Sequence, residues 1–176
     1  AEEFGDLSQG ITAAPGSVTN STRTIHCCGQ LAPSPNAITR SCYLYLSVSG
    51  GTTTFFGELT ASRSYGSMGV SSEVRGVLAG GGNIQRMDYV TIMTTGNAQD
   101  FGDLSAAVNN ATGLSNSTRG VFKIGFGSPL SYTNALEYIT IATLGNSTDF
   151  GDALNVGPSV ATGASPTRGI FAGGSS

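Results

Sequence analysis

The sequence contains no tryptophan, one histidine and one lysine, and it has no cluster of basic residues. Charged residues make up 11% of the chain, against about 25% in typical soluble domains. A formal net charge of −3 leaves no basic face that could neutralise a row of phosphates, so the composition predicts no nucleic-acid partner. Apolar runs are only a few residues long, far short of a membrane span, which predicts no membrane insertion.

No segment of ten or more residues places its apolar residues at the spacing of a helix face. Glycine, with 26 residues, and the small polar residues take the place of the missing charges, and they are typical of chains rich in turns. Short runs of valine, isoleucine, threonine and tyrosine lie between those turns. The sequence therefore predicts an all-β fold with essentially no α-helix.

One repeated unit accounts for the whole chain, residues 1–176. Units begin near residues 4, 56, 101 and 150, so that successive starts are 52, 45 and 49 residues apart. A period in this range is typical of architectures in which each repeat is one supersecondary element. We expect a single array of about three and a half repeats, and we leave open that it is a slice of a longer one.

Each unit contains four recurring stations, which we interpret as four short antiparallel strands. They are an aromatic-Gly-acid corner, a stretch of small residues, an Arg-Gly-apolar strand and an acid-Tyr-apolar-Thr strand. Four strands in roughly fifty residues are typical of a β-propeller blade. We predict third strands at 42–48, 88–94 and 137–143, a first strand from Arg63 to Val70, and a short fourth strand at 101–104.

Most of the charged residues recur at these stations, which predicts a structural role for them. A catalytic site is a singular constellation, whereas a residue that recurs once per unit usually belongs to the framework of that unit. We expect the repeated arginines to bind carboxylates or backbone carbonyls and to tie strands or neighbouring blades together. The repeat residues are Arg23, Arg75, Arg119 and Arg168; Asp6, Glu58, Asp103 and Asp152; Tyr89 and Tyr138; Phe101 and Phe150.

The three cysteines, Cys27, Cys28 and Cys42, all lie in the first unit and show no metal-ligand spacing. Cys42 stands where later units have an acid on the third strand, so a cross-strand disulfide from Cys27 or Cys28 to Cys42 is open. We favour the interpretation that the cysteines are buried small side chains. His26 adjoins Cys27, but neighbouring residues of a strand point to opposite faces, which argues against a shared catalytic or metal site.

The acidic turns at 97–103 and 146–152 have the composition of calcium loops but lack the bidentate glutamate of an EF-hand. We therefore expect no metal, no cofactor and no catalytic residue. Four asparagines head N-x-S/T triplets, which are glycan acceptors in secreted eukaryotic proteins. Their recurrence at predicted turns favours a turn role instead. They are Asn20, Asn110, Asn116 and Asn146.

Paired glycines end the second predicted strand at 80–81 and 173–174, a tyrosine begins the third strand, and an aromatic residue begins the fourth. This arrangement resembles the kelch type of β-propeller, although phenylalanine stands at 101 and 150 where kelch repeats have tryptophan. The motifs TRGVF at 118–122 and EYITIATLGNSTDFGD at 137–152 are also similar to the tandem repeats of tail-fibre and other virion proteins of marine bacteriophages.

These resemblances imply a non-enzymatic structural and binding propeller of a phage virion, in a tail fibre or a surface decoration. The partners they imply are other virion proteins, copies of the chain itself, and a glycan or protein of the host cell surface. The alternative is a secreted lectin-like or kelch-like propeller that binds carbohydrate or protein. An oxidase of the galactose-oxidase type is disfavoured, because its copper site needs several histidine and tyrosine ligands and the chain has one histidine.

The array begins at a fourth-strand station and ends after a second-strand station. Three and a half units are fewer than the four to eight blades, roughly, that close a propeller ring. We therefore expect that these residues do not close into a monomeric ring. Either further repeats of a longer chain complete it, or a neighbouring subunit adds a strand and an oligomer or filament results.

Overall fold

The computed structural model describes residues 6, 16–27, 39–46, 51, 53–63, 66–127, 131–157 and 161–173, of which 39–46 are described through their backbone. No α-helix occurs among these residues, which confirms the predicted all-β class. The strands in chain order are β1 (Gly16–Thr19), β2 (Arg23–Cys27), β3 (Thr39–Leu46), β4 (Thr54–Arg63), β5 (Met68–Ser71), β6 (Arg75–Ala79), β7 (Ile84–Thr91), β8 (Gln99–Asn109), β9 (Thr112–Ser115), β10 (Arg119–Lys123), β11 (Phe126–Gly127), β12 (Ser131–Tyr132), β13 (Ala135–Thr140), β14 (Thr148–Asp152), β15 (Ala161–Ala164) and β16 (Gly169–Ala172).

These strands form four separate sheets, and all the strand pairs are antiparallel. The first sheet is β1-β2-β3-β4, and the third is β9-β10-β13-β14. The second sheet, β5-β6-β7-β8, is extended at its β8 edge by β11 and β12, and the fourth consists of β15 and β16. Four-stranded antiparallel sheets were predicted and are confirmed. None of the described sheets closes on itself.

Glycines make the tight turn between β6 and β7. Gly80, Gly81 and Gly82 have φ values of +59°, +81° and +67°, and Asn83 follows at +61°. Side chains with a Cβ rarely adopt this left-handed region, whereas glycine does so at little cost. The paired glycines thus end a strand, as the sequence indicates, and no helix follows them that could bind a phosphate.

The third strands begin and end two to four residues earlier than the sequence predicts, at 39–46, 84–91 and 135–140. In the second and third sheets the predicted last residues lie in turns instead, because the N–H of Thr94 donates to the carbonyl of Thr91, and Thr143 donates likewise to Thr140. The predicted last residues of the first of these strands, 47–48, lie outside the described residues. Ile92 and Ile141 are buried within these turns. A buried isoleucine in a turn is indistinguishable by pattern from one in a strand, which explains the shift.

The fourth strands are longer than predicted, and one predicted first strand is wrong. β8 spans 99–109 rather than 101–104, and Arg63 ends β4 instead of opening the next strand. The first strand of the second sheet begins only at Met68. The small-residue stretch between the aromatic corner and the first strand is therefore divided between two sheets, which a composition of Gly, Ser and Ala does not reveal.

Glycines on the second strands let each sheet pack closely on the preceding one. Val18 lies over Gly76, Val70 over Gly120 and Leu114 over Gly169. A Cβ added at these glycines would lie 2.4, 2.6 and 2.7 Å from the overlying side chain, so only glycine fits. The first strands β1, β5, β9 and β15 contact one another in this order. One contact type thus joins all four sheets.

Candidate functional site

The repeated arginines lie at the start of the second strand, where two of them join one sheet to the next. Arg23 donates from Nη1 to the carbonyls of Ile92 and Met93, at 3.3 and 2.8 Å. Arg75 donates in the same way to the carbonyl of Ile141, at 2.9 Å. The acceptors are backbone carbonyls, one of the two acceptor types expected from the sequence, and they lie in the turn after the third strand of the following sheet.

The repeated tyrosines hold these arginines in place. The guanidinium of Arg75 lies 4.5 Å from the ring centre of Tyr89, and that of Arg119 lies 4.6 Å from the ring of Tyr138. Such cation-π contacts orient the planar guanidinium. Arg119 nevertheless has no carbonyl acceptor among the described residues, because no described strand of the fourth sheet takes the place of β13. Arg168 is exposed.

The repeated phenylalanines make the same ring contact but differ in burial. Phe101 meets Tyr89 edge-on with ring centres 6.3 Å apart, and Phe150 meets Tyr138 at 5.9 Å. Phe101 is 3% exposed and Phe150 is 49% exposed. The turn at Gly145 of the third sheet covers Phe101, whose carbonyl accepts the Gly145 N–H at 2.9 Å. No described residue covers Phe150 in this way.

The acidic corner residues join the sheets through their backbone carbonyls. Each corner carbonyl accepts an N–H from the strand or turn that leads into the fourth strand of the next sheet. The pairs are Asp6 with Thr53 at 2.9 Å, Glu58 with Ala98 at 2.8 Å, and Asp103 with Ser147 at 2.9 Å. The Asp6 carbonyl therefore makes the same contact with the first sheet that the Glu58 carbonyl makes with the second. Asp152 is exposed and makes no equivalent bond among the described residues.

The Gly-Asn turns complete the same junction. The side-chain oxygen of Asn97 accepts the N–H of Glu58 at 3.1 Å, and that of Asn146 accepts the N–H of Asp103 at 3.0 Å. An asparagine side chain mimics a backbone carbonyl here. The Gly-Asn turns are thus used for contacts between sheets.

Asp88, an acid of the third strand, is fully buried between the first and second sheets. Its Oδ1 accepts the hydroxyl of Thr60 at 2.6 Å, and its Oδ2 accepts the N–H of Thr60 at 3.1 Å. Nη2 of Arg63 lies 3.0 Å from Oδ2, and both side chains are 0% exposed. Nη1 of Arg63 donates to the carbonyls of Gly80 and Arg86, at 2.7 and 2.8 Å. Nε and Nη2 of Arg63 have no hydrogen-bond partner, so the contact of Nη2 with Asp88 is ionic and the guanidinium is only partly satisfied.

Glu137 occupies the same position between the second and third sheets but has no cation beside it among the described residues. The hydroxyls of Ser105 and Ser147 donate to its two oxygens, and the N–H of Ser105 donates at 3.2 Å. Ser105 corresponds to Thr60 of the preceding repeat. The repeat therefore satisfies one buried acid with an arginine and the next with a second hydroxyl.

Four equivalent residues, one from each sheet, line a single cavity of about 290 Å³. They end the four first strands and are Thr19, Ser71, Ser115 and Ala164. The hydroxyl of Ser71 donates to the carbonyl of Thr19 at 2.7 Å, and that of Ser115 donates to Ser71 at 3.0 Å. In a linear stack, the first and fourth sheets would lie roughly 30 Å apart, at about 10 Å per sheet. The four first strands therefore lie around a common space.

Cys27 is buried, as expected, but it is disulfide-bonded rather than reduced. Its partner in the antiparallel register of β2 and β3 is Cys42. Cys28 lies outside the described residues. His26 lies 2.7 Å through Nδ1 from the hydroxyl of Ser17, and burial lowers the pKa of His26 below its ordinary value of 6.5.

Two of the N-x-S/T asparagines cap the turns between first and second strands. Oδ1 of Asn20 accepts the N–H of Arg23 at 2.8 Å, and Oδ1 of Asn116 accepts that of Arg119, also at 2.8 Å. Asn110 has a φ of +52°, which is typical of a turn asparagine. The geometry of these three residues is that of turn residues, as the sequence predicts.

Sequence reasoning missed two buried cations, Arg63 and Lys123. Lys123 is 4% exposed and donates from Nζ to the carbonyl of Gly157 at 2.5 Å, and burial lowers its pKa below the ordinary 10.5. The available signal was its position in the repeat: the only lysine stands where Ala79 and Ala172 stand in neighbouring units.

The described residues contain no group of three or more His, Cys, Asp or Glu side chains that could hold a metal ion. Within the same part of the chain, no helix is long and apolar enough to cross a membrane. No protein-family model matches the chain, and no curated protein matches it.

Proposed function

We propose that the chain is a non-enzymatic structural and binding module, a segment of a kelch-like β-propeller that serves in the virion of a phage. The observation that carries the propeller is the cavity at which the four first strands meet, since equivalent residues of all four sheets line it. A propeller is the repeat architecture in which the first strands of successive blades surround one axis.

The use of the polar groups supports a structural role rather than a catalytic one. Arg23 and Arg75 are committed to carbonyls of the next sheet, and Asp88 and Glu137 are buried on donors of the preceding sheet. A catalytic acid or base needs an open approach for a substrate. These groups hold the sheets together and leave the exposed turns to make contacts with partners.

The virion setting, in a tail fibre or surface decoration, is supported by the similarity of the repeat motifs to phage tail-fibre repeats. Host-surface glycans or proteins would meet the turns around the cavity, which carry Glu73, Asn116 and neighbouring hydroxyls. The alternative, a secreted lectin-like or kelch-like propeller, uses the same surface in a different location.

Small-angle X-ray scattering tests the architecture. A radial arrangement of four sheets predicts a compact particle, whereas a linear stack is elongated along the stacking direction by roughly 10 Å per sheet. A pair-distance distribution with the long tail of a rod would contradict the propeller.

Mass spectrometry of purified virions, with the secreted fraction of the same culture as the control, tests the function. Peptides of the chain should be enriched in the virions, and the purified chain should bind host cell envelopes. A Glu73→Gln variant, altered at the cavity rim, distinguishes binding there from binding elsewhere. Enrichment in the secreted fraction alone would replace the virion role by the alternative.

A further inference from the structure

A second cavity lies between the third sheet and β16, with a volume of about 340 Å³. Lys123, Leu136, Asp152, Leu154 and Phe171 are among the residues that line it. The other edge of β16 pairs with no strand among the described residues. An open strand edge beside a cavity is a template for an added strand.

Between the first and second sheets, and between the second and third, an acidic residue of the third strand occupies the position that corresponds to this cavity. Asp88 pairs with Leu78 in the register of β6 and β7, and Glu137 pairs with Phe122 in that of β10 and β13. Phe171 is the corresponding residue of β16. A third strand laid along β16 would therefore place its acidic residue beside Phe171, in the second cavity.

In the first and second sheets, a hydroxyl donates to the buried acid of the next sheet, but the third sheet has no hydroxyl at that position. Thr60 and Ser105 supply a hydroxyl to the buried acid of the next sheet, but the corresponding residue is Leu154, which is fully exposed. Lys123 faces the cavity instead and stands at the position of Ala79. No described carboxylate forms an ion pair with it, and its one bond is to the carbonyl of Gly157. A buried cation with this surrounding is complementary to a carboxylate.

Among the described residues, two other side chains of the same surface, Arg119 and Phe150, lack contacts that their equivalents make in the preceding repeat. Arg119 lies on Tyr138 as Arg75 lies on Tyr89, yet it lacks the carbonyl that Arg75 binds. Phe150 is half exposed, although its equivalent in the preceding repeat is buried. For Arg75 and Phe101, the third strand of the following sheet and the turn after it supply this carbonyl and this cover.

We propose that the edge of β16 binds a β-hairpin of the same repeat type, supplied by a segment outside the described residues. Its third strand pairs with β16 and carries an acidic residue beside Phe171, where the carboxylate pairs with Lys123. The turn of the hairpin covers Phe150 and accepts a hydrogen bond from Arg119. All described hairpins of this type, β3-β4, β7-β8 and β13-β14, are already engaged in their own sheets, so none of them fills the site. The inference concerns the partner surface and holds whether or not the chain belongs to a virion.

The test uses a synthetic peptide with the sequence of residues 131–152, which contains the third and fourth strands of the third sheet. A matched peptide carries Glu137→Gln. Binding to the whole chain is measured by titration calorimetry, and hydrogen exchange locates the site on the chain. We expect the acidic peptide to bind at least tenfold more tightly than the Gln peptide, and the amides of β16 to become protected.

A Lys123→Met variant keeps the volume of the side chain and removes its charge, and circular dichroism verifies its fold. In this variant, the two peptides should bind equally. Equal binding of both peptides to the unaltered chain, no binding at millimolar peptide, or binding without protection of β16 would each overturn the proposal. Self-association of the chain that the peptide competes with would show that a second copy supplies the hairpin.

Discussion

Replacing Arg63 by valine should test how the repeat satisfies a buried acid. The substitution leaves Asp88 at 0% exposure with only Thr60 as a donor, and it also removes the donor from the carbonyls of Gly80 and Arg86. Removing one partner of a buried ion pair costs about 3–5 kcal/mol. We expect the free energy of unfolding to fall by about 4 kcal/mol, a large part of the 5–15 kcal/mol typical of a domain.

The third sheet suggests two further substitutions that should restore part of the stability lost in Arg63→Val. Val108 stands in the next repeat where Arg63 stands, and there Glu137 is held by Ser105 and Ser147 without a cation. Ser147 corresponds to Ala98 of the second sheet, because both donate an N–H to the corner carbonyl. Adding Asp88→Glu and Ala98→Ser to Arg63→Val therefore gives the second sheet a buried glutamate held by two hydroxyls, as in the third sheet.

Urea titration followed by circular dichroism measures both effects. We expect the triple variant to regain about 2 kcal/mol over Arg63→Val alone, since hydrogen bonds to a charged group are each worth about 1.5–3 kcal/mol. Asp88→Glu alone in the Arg63→Val background is the matched control. A loss below about 1 kcal/mol for Arg63→Val would refute the reasoning, because a buried carboxylate left without its cation should lower the free energy of unfolding by more than that.

Two further predictions concern the contacts between sheets, and a third concerns the pKa of His26. Gly76→Val should cost about 1–3 kcal/mol through overpacking, whereas Gly163→Val, where an added Cβ meets nothing within 4 Å, should be nearly neutral in the same urea titration. Arg75→Ala should destabilise the chain by about 1–2 kcal/mol more than Arg119→Ala, because only Arg75 binds a carbonyl; equal losses would show that the ring contact alone matters. The pKa of His26 is lowered by burial, so the folded chain binds that proton less readily than the unfolded chain. Stability should therefore be complete above about pH 6.5 and fall below it, and a His26→Gln variant should lose this part of the pH dependence in thermal melts.

The site residues illustrate how far pattern reasoning reaches. The recurrence of Arg75, Tyr89 and Phe101 predicted a framework role, and the structure places all three in one cluster at the junction of two sheets. Which carbonyl accepts from Arg75 could not be predicted, because the residue that supplies it is 66 residues away in the sequence. Lys123 was missed although it stands where neighbouring units have alanine, because its burial depends on contacts with residues distant in the sequence.

The sequence by itself determined the all-β class, the repeat period and the turns. These features depend on short-range physics: alternation along a strand, glycine at positive φ, and asparagine side chains that cap their own turns. Only the tertiary structure decided that the corner carbonyls bind the next sheet, that Asp88 and Glu137 are buried with different partners, and that the four first strands meet around one cavity. The physical reason is that these contacts join different sheets, so they depend on how the sheets pack against one another rather than on the local order of residues.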